Sequence, residues 1–166
     1  MKEFRDGPPL AYLITFRAYG TWLHGDQRGS VNRFHNQFGA PRIAPNEPWR
    51  KYNRSLLIEP PVKLGSGPRA LVQKAIRETC TIRNWEFWIT NVRTNHVHTV
   101  VSAPCKPEII LTAFKANATR MLREAAYWRS CKSPWLEKGS KRYLWTESDV
   151  INAVCYVEYD QGEPLN

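Results

Sequence analysis

Two β-rich runs stand only three residues apart in this chain. Residues 85–92 (Trp-Glu-Phe-Trp-Ile-Thr-Asn-Val) and 96–102 (His-Val-His-Thr-Val-Val-Ser) are dense in β-branched and aromatic side chains, and Arg93-Thr94-Asn95 between them reads as a turn. So short a link permits an antiparallel hairpin and no crossover. Helical periodicity flanks it on both sides. Pro68 opens a helix whose Leu71, Val72, Ala75, Ile76 and Thr79 share one face, ending near Arg83. Beyond the breakers Pro104 and Pro107, a longer helix is expected over 108–129, with Ile110, Leu111, Phe114, Ala118, Met121, Leu122 and Ala125 as its apolar stripe. Residues 10–19 read as a first strand, with Tyr12, Ile14 and Phe16 on one face and Leu13, Thr15 and Arg17 on the other. Residues 131–141 read as a loop, and Arg142–Trp145 as a short edge strand. Thr146 or Ser148 caps a last helix reaching about Asp160, where Gly162 and Pro164 stop it. The order β-α-β-β-α-β plus one helix predicts an α+β fold. It is a ferredoxin-like split βαβ antiparallel sheet with two helices on one face, and the extra C-terminal helix lies across the open face or an edge.

A length of 166 residues suits a single domain over 1–166, able to bury a core without staples. Residues 24–67 interrupt it as a long excursion rich in Pro, Gly and Asn, with a short helix near 48–57. The four cysteines, Cys80, Cys105, Cys131 and Cys155, contain no Cys-x-x-Cys pair and are expected to be reduced thiols. No run approaches the roughly 18 apolar residues of a membrane helix. Residues 1–9 lack a signal-peptide apolar stretch, so the expected location is the cytoplasm, with no membrane partner.

The net charge of +9 calls for an anionic partner, nucleic acid being the commonest. It is unevenly spread: +8 over residues 1–105, +6 over 106–142, and −5 over 143–166. Lys115, Arg120 and Arg123 lie on the outer faces of the 108–129 helix. Arg28, Arg33, Arg42, Arg50, Lys51 and Arg54, interleaved with Trp49 and Tyr52, lie in the excursion. All are candidates to track a phosphate backbone, Lys115, Arg120, Arg123, Arg50 and Lys51 foremost.

The chemistry concentrates in two places. His96 and His98, at i and i+2 of a strand, leave the same face and can chelate one metal ion while Val97 points the other way. On the last helix, Val150, Ile151, Val154 and Val157 form the packed stripe. Tyr156 lies roughly opposite, on the side that holds Asp149, Asn152 and Asp160. A carboxylate near the histidine pair would complete a three-ligand divalent site with open positions, and a tyrosine beside it could attack a phosphodiester. Asp160, four residues after Tyr156, faces the same way on a continuing helix. Gln161 is the alternative ligand if Gly162 ends the helix early.

Asn95-His96-Val97-His98 resembles the His-hydrophobic-His motif of the single-tyrosine HUH transposases, among them the REP-associated tyrosine transposases. The strand Tyr12–Phe16, the Phe114-Lys115 helix, Leu144-Trp145 and Tyr156-Val157 follow in the order of that family, so the resemblance covers nearly the whole chain. It implies cleavage and transfer of single-stranded DNA near DNA hairpins, through a 5′-phosphotyrosine link and a free 3′-OH. It also implies a divalent cofactor, Mg²⁺ or Mn²⁺. His96 and His98 would be catalytic metal ligands and Tyr156 the nucleophile, on a helix spanning 147–161. The family's third ligand falls four residues after the tyrosine, often Gln or Asn; here that position is Asp160, followed by Gln161. Both monomers and homodimers fit the resemblance. Two other readings compete: a non-catalytic module binding single-stranded DNA or RNA on the same sheet, and a structural zinc site using His96, His98 and Cys105.

Overall fold

The structure, a computed structural model, describes residues 7–21, 23–26 and 41–162. The chain divides into two compact units, one of residues 1–18 and 63–166, the other of residues 19–62.

The first unit is built on a four-stranded antiparallel sheet. Its strands are β1 (Ala11–Ala18), β2 (Glu86–Val92), β3 (His96–Ser102) and β4 (Trp135–Leu144), in the order β2-β3-β1-β4. Its long helices are α2 (Ser66–Ile82), α3 (Pro107–Glu124) and α4 (Glu147–Tyr159); α1 (Glu47–Ser55) belongs to the second unit. This is the α+β fold the sequence predicts. The hairpin is closed as expected, the Arg93 amide donating to the His96 carbonyl at 2.8 Å.

Alternation along β1 sorts its side chains onto two cores. Ile14 and Phe16 point toward α2 and α3, where Phe114, Ile110, Leu122, Val72 and Ile76 are fully buried, and the Phe16 ring meets Trp135 edge-on at 4.9 Å. Ala11 and Leu13 point the other way and pack with Val100 and Leu144 against Val150, Ala153 and Val157 of α4. The last helix therefore covers the second face of the sheet. Each fully buried aliphatic side chain there contributes roughly 1.5–3 kcal/mol.

Four details differ from the sequence reading. The stripe of α4 is Val150, Ala153 and Val157, with Val154 at its edge, while Ile151 is exposed. The helix is thus rotated so that Tyr156 lies on the flank of the packed stripe rather than opposite it. Second, α2 begins at Ser66, two residues before Pro68; a proline is tolerated in a first turn because its missing N–H has no helical partner there. Third, α3 stops at Glu124 instead of near 129. The Ala126 amide bonds to the Arg123 carbonyl at 3.0 Å and the Tyr127 amide to the Leu122 carbonyl at 2.9 Å, a Schellman stop. Ala126 takes the left-handed conformation (φ 60°) that glycine usually fills, so no glycine marks the stop in the sequence.

Fourth, most of the expected loop 131–141 is strand. Trp135–Lys141 looks like a loop because Glu137, Lys138, Gly139 and Lys141 break any apolar alternation. Those charges suit an edge strand, where they oppose further pairing. Gly139 is required at its position: a Cβ there would lie 2.6 Å from the Thr15 carbonyl oxygen. Lys115 secures the same strand, its Nζ donating to the carbonyls of Leu136, Glu137 and Lys138 at 2.6, 2.9 and 3.3 Å. Burial holds the Lys115 pKa below its ordinary value. Lys115→Met is expected to cost about 2 kcal/mol of stability, since bonds from a charged donor are worth about 1.5–3 kcal/mol. Urea melts of the two proteins check the expectation.

The second unit holds α1, capped by the Asn46 side chain accepting from the Trp49 amide at 2.9 Å. Trp49 stacks on His24 at 5.1 Å, and the Val62 amide donates to the Tyr19 carbonyl at 2.8 Å. Arg50 pairs with Glu47 at 3.3 Å, and Lys51 is exposed. Arg28 and Arg33 lie outside the described residues.

Candidate active site

The histidine pair leaves the α4 face of β3, as its spacing requires. The His96 and His98 ring centroids are 4.9 Å apart. Each imidazole is held through Nδ1: that of His98 meets Thr15 Oγ1 at 2.7 Å, and that of His96 meets Asn95 Oδ1 at 2.6 Å. Thr15 is in place because β1 and β3 pair with Thr15 opposite His98. An imidazole pinned at Nδ1 presents Nε2 in a fixed direction, the usual arrangement for metal-binding histidines.

Tyr156 arrives from α4. A capping box starts that helix: the Thr146 side chain accepts from the Asp149 amide at 3.1 Å, and Asp149 accepts from the Thr146 amide at 3.0 Å. Asn91 of β2 fastens the other end by donating to the Val157 carbonyl at 3.0 Å. Between these anchors Val157 is fully buried, and the ring of Tyr156 meets His98 edge-on at 5.6 Å while staying 41% exposed. The phenol is therefore both fixed beside the histidine pair and open to a large substrate.

The end of α4 places the two candidate third ligands differently. The helix stops at Tyr159, Asp160 is its C-cap, and Gly162 turns the chain with φ +81°. Gln161 folds back, its amide nitrogen donating to the Tyr156 carbonyl at 3.1 Å, and its side chain works against burial by favouring the protonated His98 ring. Asp160 stays exposed at the cap. Among the described residues no three His, Cys, Asp or Glu side chains are grouped to hold a metal. Neither Asp160 nor Cys105 is therefore grouped with the two histidines. The two imidazoles stand together, and the turn brings the Gln161 side chain back onto the Tyr156 carbonyl. Imidazoles favour the later transition metals, and only oxygen donors such as an amide, water or phosphate would adapt such a site to Mn²⁺ or Mg²⁺.

His98 is 7% exposed, and burial, helped by the nearby charges of His96 and Arg17, drives its pKa down to about 3. The neutral ring, which alone can bind a metal, is thus the stable form. With the folded value depressed from about 6.5, its contribution to stability is complete above pH 6.5 and is lost as the pH falls toward 3. Unfolding by urea in a chelator should show stability falling by up to about 1.4 kcal/mol per pH unit below pH 6. His98→Asn should flatten that dependence.

The basic candidates fare differently. Lys115 is spent on β4. Arg120 pairs with Glu124 at 2.8 Å and Glu78 at 3.2 Å, tying α3 to α2. Arg123 caps the 130–132 turn by donating to the Ser130, Cys131 and Lys132 carbonyls. None of the three is brought to the histidine pair. A helical wheel shows that such residues face outward, but not that they already have partners. Thr15, Asn91 and Arg17 were the residues missed, and only strand register identifies them.

No family model matches the sequence, and no curated protein does. Among solved structures the chain is similar to a proposed transposase from Deinococcus radiodurans R1, with 13% identity and a TM-score of 0.51, covering 98% of this chain and 100% of that one. A REP-associated tyrosine transposase bound to a REP hairpin also aligns, with 13% identity and a TM-score of 0.49, over 96% of this chain and 72% of that one. The class defined here is a split βαβ sheet with a tyrosine-bearing helix laid on a histidine pair. In particular, the chain shares its fold with the Deinococcus protein.

Proposed function

We propose that this chain is a single-tyrosine HUH strand transferase, acting on single-stranded DNA beside hairpins in the cytoplasm. One observation carries the reading: Tyr156, His98 and His96 converge on one face of the sheet, with the phenol exposed and the imidazoles fixed, and Gln161 folds back onto the Tyr156 carbonyl. Neither a stacking module nor a structural site needs a nucleophile placed against two oriented histidines. Among the described residues no helix is long and apolar enough to cross a membrane.

A Mg²⁺ or Mn²⁺ ion held by His96, His98 and Gln161 would polarise a phosphodiester oxygen. The chain's own residues do the rest. Thr15 and Asn95 orient the imidazoles, and α4 presents the Tyr156 Oη to the phosphorus. The Oη–P bond forms, the P–O3′ bond breaks, and the phenol gives up its proton while the 3′ oxygen takes one. The 5′ phosphate stays on Tyr156 until a second 3′-OH reverses the step.

The test is to incubate the protein with labelled single-stranded DNA from the flanks of its own gene, with Mg²⁺ or Mn²⁺, and to look for a covalent adduct resistant to denaturant. Binding without adduct at any divalent concentration would sink the reading and favour the stacking module. Mixing His98→Ala and Tyr156→Phe chains then asks whether a homodimer completes the site across two copies.

A further inference from the structure

Arg17 stands on the histidine face of the sheet. Its backbone pairs with His96, and Thr15, two residues earlier on the same strand, reaches His98. Side chains two apart in a strand leave one face, so Arg17 emerges beside His96. It is half-buried, and its charge acts on His98. A guanidinium next to two imidazoles opposes any cation bound there. An anion with two oxygens gains from both, one oxygen toward the metal and one toward the planar fork of the arginine.

We propose that Arg17 is a phosphodiester seat, binding a non-bridging oxygen of the strand at the histidine pair. The proposal rests on the strand-transfer reading and adds a residue to it. Arg17 makes and breaks no bond. It stabilises the negative charge that builds on the phosphoryl oxygens as the Tyr156 oxygen enters and the 3′ oxygen leaves.

The seat has a signature of opposite signs. In a Tyr156→Phe background, which prevents cleavage, Arg17→Gln should lower the log–log salt slope for a labelled oligo(dT) by about 0.7, the loss of one phosphate contact on a single strand. The same substitution should tighten Mn²⁺ binding, measured without DNA by electron paramagnetic resonance, by about threefold or more, because a nearby positive charge is gone. Arg17→Lys should keep both the slope and the melting temperature. Lys74→Gln, the same loss of charge on an exposed position of α2, should change neither binding. An unchanged slope in Arg17→Gln overturns the proposal. So does a joint loss of Mn²⁺ and DNA affinity with a lowered melting temperature, which would make Arg17 a structural residue, and so does loss of the slope in Arg17→Lys. Neither binding readout needs cleavage. A wild-type protein that makes no adduct while Arg17→Gln shows the opposite-sign signature would sink strand transfer and leave the phosphate seat standing.

Discussion

Tyr156→Phe is expected to abolish the covalent protein–DNA adduct, by about 10³-fold or more, while the protein folds and binds single strands as before. The substitution removes one oxygen atom and no buried volume. The ring keeps its edge-on contact with His98, and the residue is 41% exposed, so the stability change should stay within about 0.5 kcal/mol. Under the proposed reaction, loss of the nucleophile has no partial substitute, because the strand is held on that side chain itself. The other tyrosines of the region are poorly placed. Tyr159 is 70% exposed at the end of α4, and neighbouring Glu158 raises its pKa, which disfavours the phenolate. Tyr143 is stacked on Trp145 with ring centroids 5.8 Å apart. Gel detection of the adduct, with a melting curve and anisotropy as controls, checks the expectation. An undiminished adduct in Tyr156→Phe would move the nucleophile elsewhere.

Locally encoded features were legible in the sequence, and features encoded by partners were not. The β2–β3 hairpin rests on a three-residue link and two dense strands, and the shared face of His96 and His98 follows from the pleat alone. The start of α4 is written in Thr146 and Asp149. By contrast, β4 is a strand because β1 and Lys115 hold it, and both lie far away in sequence. The roles of Thr15 and Arg17 depend on β1 pairing with β3 in one register, and a shift of one residue would turn them away from the site. Ion pairing is hidden from charge counting for the same reason. Arg120 is a surface cation on the wheel of α3, yet its partner Glu78 comes from α2, 42 residues earlier. The rotation of α4 was misjudged because Ile151 is more apolar than Ala153. Ala153 instead is buried between α4 and the sheet, and in that rotation the Tyr156 ring meets His98.

The same distinction bears on the proposed metal site. A helix continuing past Tyr159 would keep Asp160 beside Tyr156, and a carboxylate is the stronger ligand for Mg²⁺ or Mn²⁺. The helix does not continue. Gly162 at φ +81° reverses the chain, and its own Cβ position would lie 3.6 Å from Arg93 Nη2, so the turn is also closed in by the hairpin. Within that turn Gln161 folds back onto the Tyr156 carbonyl, beside the ring that meets His98, and Asp160 remains at the exposed cap. Gln161→Ala is therefore expected to weaken Mn²⁺ binding by about tenfold or more, since even residues that only support a ligand are worth about 10–100-fold. Asp160→Ala should remain within about twofold of the parent protein. Calorimetric titration of Mn²⁺ into each variant on the Tyr156→Phe background gives the affinities directly, without reliance on cleavage. A tenfold loss in Asp160→Ala beside an unchanged Gln161→Ala would show that the metal draws the cap carboxylate into the site. The turn at Gly162 would then have to open when the ion binds.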